Sequence, residues 1–192
     1  KHPFVFKTKL GMVCKERTID LADGFRFESS KVTRHDEKWT QPWGENKEVL
    51  DQHKELEVRL ANSDCKLTLR FRVFNDGVGF RYEYEVPYQV GNEGIIITDE
   101  LTQFNIAQDG LSWSIPAHFD SYEQEYRELR IYELENANTP MTFRTDNGLY
   151  GSIHEAALVD FPEMTLKSDD GILTAALAPD GPHHLEHKAV GP

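Results

Sequence analysis

Glu155 is an acidic residue at a position where the surrounding sequence predicts an apolar side chain. From Leu149 onward the chain alternates, and one face of the predicted strand would carry Leu149, Gly151, Ile153, Glu155, Ala157 and Val159. An unpaired carboxylate on such a face is strongly unfavourable, so it must be protonated, paired, bound to a cation, or placed at a strand end open to solvent. Glu155 is therefore a candidate site residue, and cation binding is one chemistry that it could supply.

A β-bulge offers a second interpretation of the same carboxylate. An extra residue near Ala156 and Ala157 would shift the alternation and turn Glu155 outward into solvent. His154 is next to Glu155 in sequence but lies on the opposite face of the predicted strand, so we do not expect the two to share a metal ion. The pattern by itself leaves both interpretations of Glu155 open.

Three tryptophans have side chains that could bind sugar. An exposed indole face suits the C–H face of a pyranose ring, and the candidates are Trp39, Trp43 and Trp113. Tryptophan is more often a core or interface residue, so composition alone does not establish a sugar site.

A group of metal-ligating side chains lies in a segment bounded by proline and glycine. It comprises His183, His184, Glu186 and His187. Because the Leu-Glu-His sequence within it resembles a remnant of cloning, we do not expect functional metal binding there. The chain also contains no Gly-x-Ser-x-Gly turn, so a catalytic serine triad is not supported.

The elements that would position these residues are predicted to be antiparallel β-strands. Two alternating segments in residues 66–86 flank a turn cluster of Asn, Asp and Gly, a pattern typical of a hairpin with one solvent-facing side. For this hairpin we predict a register with Arg72 opposite Glu83 and Arg70 opposite Glu85, unless a bulge at the glycines shifts it. The alternative that sets Arg72 opposite Arg81 is disfavoured because facing like charges repel.

The remaining segments also predict strands. A second hairpin is predicted over residues 141–159 with Asn-Gly in its turn, and further strands at residues 25–27, 55–60, 95–97 and 173–177. Residues 121–135 have helical spacing, but a strand or polar loop suits them nearly as well. Many short strands between turns predict an all-β sandwich or barrel with little or no helix. We expect one domain over residues 1–180, then a flexible tail or cloning remnant over residues 181–192.

Charge and composition argue against several classes of function. The chain has 192 residues and a net charge of −12, and an acidic chain without a Lys/Arg cluster is a poor binder of nucleic acid or anionic membranes. No apolar run approaches the ~20 residues that would span a bilayer. The sequence begins at Lys1 without a signal peptide, which we interpret as a processed start. Cys14 and Cys65 would allow a disulfide, but we favour two separate buried thiols.

Five long motifs follow one another between residues 25 and 179. They are WTQPWGENKEV, FRVFNDGVGFRYEY, IITDELTQF, WSIPAHFDSYEQEY and TPMTFRTDNGLYGSIHEAALVDFPEM. Together they resemble the amino-terminal domain of family 97 glycoside hydrolases, which are bacterial α-glucosidases and α-galactosidases. The resemblance implies an antiparallel β-super-sandwich, similar to galactose mutarotase, set before a catalytic (β/α)8 barrel. It also implies a periplasmic or otherwise extracytoplasmic location.

The same resemblance implies an active-site calcium ion bound by glutamates from both domains. The position that matches the amino-terminal ligand is Glu155, in the segment IHEAAL. Trp113, in the segment WSIP, is implied to lie near the barrel and to contact substrate. The expected partners are therefore the barrel of the intact protein and an α-linked oligosaccharide.

No part of the chain matches the barrel or its pair of catalytic carboxylates. Eight βα units need roughly 200 residues or more, and glycoside hydrolysis usually needs two carboxylates about 5–10 Å apart. Calcium takes about 6–8 oxygen ligands, which one glutamate cannot supply. We therefore expect a non-catalytic domain that is inactive alone and binds calcium weakly or not at all by itself. The alternatives are a free-standing carbohydrate-binding β-sandwich module and a purely structural interaction domain.

Overall fold

The computed structural model describes residues 3–15, 19–86, 95–159 and 161–179, and the backbone of residues 187–189. In these ranges the paired strands are antiparallel, and regular helix is limited to a 3-10 turn at Ile131–Glu133. The predicted all-β fold class is confirmed. In chain order the strands are β1 (Met12–Cys14), β2 (Arg26–Thr40), β3 (Glu48–Ala61), β4 (Lys66–Val73), β5 (Val78–Glu85), β6 (Ile95–Glu100), β7 (Gln103–Phe104), β8 (Gly110–Ser114), β9 (Arg127–Arg130), β10 (Asn136–Asn138), β11 (Met141–Thr145), β12 (Tyr150–Ile153), β13 (Met164–Asp169), β14 (Ile172–Leu177) and β15 (His187–Ala189).

The chain divides into two compact units. Residues 23–89 form one, and residues 1–22 together with 90–192 form the other. The single domain expected over residues 1–180 stays a prediction. Of the expected tail over residues 181–192, the structure describes only β15, whose backbone pairs with β6. No helix in the described ranges is long and apolar enough to cross a bilayer.

The larger unit is a sandwich with a continuous apolar core. Two of its sheets have the strand orders β10-β13-β14-β7 and β12-β11-β8-β9, and a third joins β1, β6 and β15. Side chains from both four-stranded sheets meet in the core, which contains Ile131, Leu134, Ala137, Met141, Phe143, Ile153, Met164, Leu166, Leu173 and Ala175. Alternation produces this packing, since in β11 every second residue is buried. Each large buried side chain contributes about 1.5–3 kcal/mol relative to exposure.

Residues 121–135, where helix and strand both remained open, form no α-helix. They contain β9 and the 3-10 turn, and the exposed Tyr122 and Tyr126 lie outside any strand. Cys14 and Cys65 are both buried, as favoured from the sequence.

The unit of residues 23–89 is a four-stranded sheet in the order β2-β3-β4-β5. One face carries the apolar side chains of the predicted hairpin, where Leu67, Leu69 and Phe71 lie opposite Tyr84, Tyr82 and Phe80. The other face carries Glu55 and Glu57 of β3, Arg70 and Arg72 of β4, and Glu83 of β5. This division confirms the predicted alternation in residues 66–86.

The predicted register of this hairpin was wrong. Arg70 lies opposite Arg81, and Arg72 lies opposite Gly79. The observed register pairs the apolar residues along the whole length of both strands and leaves a four-residue loop, closed by the bond from Phe74 N–H to the Gly77 carbonyl at 2.9 Å. The like charges are tolerated because Glu83 accepts hydrogen bonds from both arginines, each at 2.8 Å. A single carboxylate thus offsets the repulsion that the strand pattern alone would predict.

Arg70 is the centre of a wider ion network on the charged face. Its guanidinium contacts Glu55 at 3.1 Å, Glu57 at 2.7 Å and Glu83 at 2.8 Å. Arg72 contacts the second oxygen of Glu55 at 2.8 Å. The hydrogen bonds from Arg72 and Arg70 hold the pKa of the buried Glu55 carboxyl below its ordinary value, so Glu55 is ionised at neutral pH.

Replacing Arg70 should destabilise the fold more than replacing Arg81, the residue directly opposite. Arg70→Met removes a side chain that is 24% exposed and bridges three carboxylates, and we expect the free energy of unfolding to fall by about 1.5–3 kcal/mol. Arg81→Met removes a side chain that is 65% exposed, and we expect a loss below about 1 kcal/mol. Urea unfolding at neutral pH, followed by circular dichroism, measures both losses.

The effect of Arg70→Met should also depend on pH. Because the arginines lower the folded-state pKa values of Glu55 and Glu83, the stabilisation is present above the unfolded pKa and is lost as pH falls through the folded pKa. The unfolding free energies of the parent and the variant should therefore converge below about pH 4. A difference that stays constant into strong acid would contradict a charge-dependent role for Arg70.

Candidate functional site

The second predicted hairpin is present and positions Glu155. β11 and β12 pair from Arg144 opposite Tyr150 to Met141 opposite Ile153. The turn between them is closed by hydrogen bonds of 2.8 Å between Thr145 and Leu149 and between Gly148 and Thr145. Gly148 has φ +87°, the left-handed conformation that favours glycine in a tight turn.

The predicted continuation of this strand to Val159 was wrong, because β12 ends at Ile153. Its partner strand β11 begins at Met141, which lies opposite Ile153, so β12 has no partner in this sheet beyond that residue. Residues 136–138, just before Pro140, pair with β13 in the other sheet, and Pro140 has no N–H to extend the ladder. Leu158 and Val159 are exposed, and Asp160 lies outside the described residues.

Glu155 therefore follows a strand end and is neither on a continuous apolar face nor at a bulge within a strand. Its side chain is half-buried, and the burial raises the pKa of its carboxyl. The backbone N–H of Met164 donates a hydrogen bond to the carboxylate, which opposes this rise. Neighbouring His154 is exposed, and its Nδ1 is 3.0 Å from the Glu155 carbonyl oxygen.

Glu100 is a second carboxylate near Glu155 that sequence reasoning missed. It ends β6 and is only 7% exposed. Burial raises the pKa of Glu100, and the negative charges of Glu155 and Asp99 raise it further. The Thr102 hydroxyl donates to Glu100 Oε1 at 2.5 Å and partly opposes this rise. The available signal was the acidic pair that ends a β-branched run in the motif IITDELTQF.

Glu100 and Glu155 both carry carboxylate oxygens, and the charge of Glu155 reaches Glu100 and raises its pKa. Carboxylate oxygens are the ligands that calcium prefers, and calcium takes about 6–8 of them. Within the described residues, no third His, Cys, Asp or Glu joins these two in a compact cluster. Two carboxylates by themselves supply only part of the ligand set of a calcium ion.

Trp113 lies on the outer face of the β12-β11-β8-β9 sheet. Its indole Nε1 donates to Glu128 Oε2 at 2.8 Å, and its ring stacks on Tyr150 with centroids 6.3 Å apart and an interplanar angle of 6°. Tyr150 is 66% exposed, so the pair presents an aromatic surface to solvent. The adjacent Ser114 lines a shallow cleft of about 260 Å³.

The other residues singled out from the sequence lie in the second unit or have side chains outside the described part of the chain. Trp39 and Trp43 are exposed and belong to the unit of residues 23–89. His183, His184 and Glu186 lie outside the described residues, and only the backbone of His187 is described.

The family model for the Glycosyl-hydrolase 97 N-terminal domain matches residues 1–189. The chain belongs to this family. Two similar solved structures are Glycoside Hydrolase Family 97 enzymes from Pseudoalteromonas sp. strain K8, one of a substituted variant and one in complex with panose. Each is 35% identical to this chain, with TM-scores of 0.82 and 0.83, and each comparison covers 92% of this chain.

This chain covers only 27% of each of those family 97 enzymes. A β-arabinopyranosidase structure is also similar, with 22% identity and a TM-score of 0.76 over 90% of this chain and 30% of that one, and this likeness supports the fold alone. The motif-based resemblance is thereby confirmed at the level of family and domain.

Glu100→Gln should stabilise the chain at neutral pH. Folding raises the pKa of Glu100, so this carboxyl stabilises the fold below its unfolded pKa and loses that contribution as pH rises through the folded pKa. Glutamine mimics the neutral carboxyl at every pH, and the gain at pH 7 should be roughly 1.4 kcal/mol per unit of pKa elevation. Thermal unfolding between pH 4 and 8 measures this gain, with the exposed Glu125→Gln as the neutral control. Equal pH profiles for the parent and Glu100→Gln would contradict the burial argument.

Proposed function

We propose that this chain is the non-catalytic amino-terminal domain of a calcium-dependent α-glycosidase, and that Glu155 is its ligand to the active-site calcium ion. The observation that carries the proposal is the half-buried Glu155 carboxylate just past a strand end, whose negative charge raises the pKa of the buried Glu100. Two carboxylates without a lysine or arginine bridge in the described chain form an arrangement that a divalent cation would stabilise. Family membership supports the same assignment.

The similar structures support a proposal for the substrate class. Family 97 enzymes of 35% identity are in complex with panose and with acarbose, and panose is an α-linked oligosaccharide of glucose. We therefore propose a terminal α-linked glucose or galactose as the substrate of the intact protein. The same family kinship supports a periplasmic or otherwise extracytoplasmic location.

The residues of this chain would act by binding and positioning. Calcium, when bound, helps to bind or activate the substrate. Glu155 would supply a carboxylate oxygen to the ion, and the Met164 N–H would orient that carboxylate. Glu100, held by Thr102, would add negative charge close by without leaving its buried position. The acid and the base or nucleophile would come from the barrel.

Glu155→Gln in the full-length protein should lower calcium affinity and glycosidase activity together. The amide lacks the negative charge that attracts the ion, and excess calcium should partly restore the rate because it refills a weakened site. Activity against an α-glucoside across a calcium titration measures both effects. Glu125→Gln, which changes an exposed glutamate in the same way, should leave both unchanged. Parent-like calcium dependence in Glu155→Gln would remove it from the ligand set.

A free-standing carbohydrate-binding module is the second candidate, and the solvent-facing Trp113–Tyr150 pair favours it. The leading proposal expects no α-glucoside hydrolysis and no measurable maltooligosaccharide binding by the 192-residue chain. The second candidate expects binding that Trp113→Ala abolishes, because stacking on the indole is lost. Calorimetric titration and a hydrolysis assay on the purified chain distinguish the two. Hydrolysis by this chain would overturn the non-catalytic assignment.

A further inference from the structure

Three potential metal ligands meet on the charged face of the β2-β3-β4-β5 sheet. His35 and His53 lie directly opposite each other in the antiparallel pairing of β2 and β3. Glu55 is two residues beyond His53 and therefore lies on the same face. Ligand atoms of the three side chains all lie within 4.8 Å of one another. Of the described residues, only these three form such a group of His, Cys, Asp or Glu.

His53 has a buried ring nitrogen that the fold leaves unsatisfied. Its side chain is 1% exposed, and its Nδ1 is bound to the carboxylate of Asp51. Its Nε2 is buried and has no hydrogen-bond partner. Buried polar atoms in folded proteins are nearly always satisfied, so an orphaned nitrogen at a cluster of ligands points to an absent partner.

The Asp51–His53 pair determines which nitrogen is available. A carboxylate that accepts a hydrogen bond from Nδ1–H places the proton there and leaves the Nε2 lone pair free. This carboxylate–histidine arrangement is the usual outer support of metal-binding histidines. The stacked ring of His35, with centroids 4.5 Å away, and the ring of Phe74, at 5.0 Å, cover His53. These rings shield Nε2 from bulk water.

Glu55 is suited to be the third ligand. Its two oxygens accept hydrogen bonds from Arg70 and Arg72, yet an ionised carboxylate has about four lone-pair positions and retains capacity for a cation. The positive charges of Arg59, Arg70, Arg72 and Arg81 are balanced in number by the carboxylates of Asp51, Glu55, Glu57 and Glu83. The surroundings of the three ligands are therefore close to neutral and can accept a divalent ion.

We propose that His35, His53 and Glu55 form a binding site for a zinc-type divalent cation, with Asp51 as the positioning residue for His53. Two imidazole nitrogens and one carboxylate select zinc, cobalt or nickel over calcium, which takes oxygen ligands. His35 is only half-buried, so its ring can rotate out of the stack on His53 to direct a nitrogen at the ion, and water can fill a fourth position. The site lies entirely in the unit of residues 23–89 and does not depend on the role of Glu155.

Zinc calorimetry and cobalt absorption spectra on the full chain test this site. The background for all measurements should carry His183→Ala, His184→Ala and His187→Ala, because these histidines could bind metal independently. We expect the background chain to bind one ion saturably and cobalt to show the intense visible bands of a four-coordinate site.

Three variants in this background identify the ligands. His53→Gln should abolish binding, and His35→Gln should weaken it strongly. Asp51→Asn should lower the zinc affinity about 10–100-fold, because the carboxylate that fixes the proton on Nδ1 of His53 is lost. The exposed His118→Gln is the matched control and should bind as the background chain does.

Folding and binding are separated by the choice of variants. If the buried His53→Gln fails to fold by circular dichroism, His35→Gln and Asp51→Asn still decide the outcome, since both side chains are more exposed. Absence of saturable zinc binding in the background chain would overturn the proposal. Equal zinc affinity in the background chain, His35→Gln and Asp51→Asn would also overturn it.

Discussion

A carboxylate that leaves water needs a cation, hydrogen-bond donors or a proton, and the two units of this chain meet that need differently. In residues 23–89 the buried Glu55 is held by Arg70 and Arg72, which lower its pKa. In the other unit Glu100 and Glu155 have raised pKa values, with a hydroxyl and a backbone N–H as their named donors. The first arrangement stabilises the sheet at neutral pH, whereas the second destabilises its unit there. Two carboxylates kept in an unfavourable setting are typical of a functional site rather than of a structural one.

The position of Glu155 depends on a change of sheet. Residues 136–138 pair with β13, and after Pro140 the chain continues as β11 in the opposite sheet of the sandwich. This exchange removes the partner of β12 after Ile153 and releases the following residues from the ladder. The proposed calcium ligation would use the carboxylate released at this strand end. The chain runs straight through Pro140, but the strands that it pairs with differ before and after this residue.

The charged face of the β2-β3-β4-β5 sheet contains a buried polar atom without a hydrogen-bond partner. His53 has its Nδ1 occupied and its Nε2 without a partner, beside a second imidazole and an ionised carboxylate. The strand register creates this juxtaposition, because it sets His35 opposite His53. Spacing along the chain does not indicate it, since a long stretch of two strands and a turn separates the two histidines.

The sequence by itself determined the all-β class, the two hairpins and the family, because alternation, turn residues and long motifs are local properties of the chain. It also marked Glu155 as unusual, although the continuous strand from which this was inferred ends at Ile153. Only the tertiary structure decided the register of β4 and β5, the end of β12 and the proximity of Glu100 to Glu155. Each of these depends on a group outside the local pattern. Glu83 bridges Arg70 and Arg81 in the observed register, and β12 ends because its partner strand begins only after Pro140. The charge of Glu155 acts on a carboxylate of β6 that is distant in sequence. Repulsion between facing charges and strand periodicity consider only neighbouring residues. They predicted the wrong register for β4 and β5 and the wrong end for β12, because folding adds partners that these local rules do not include.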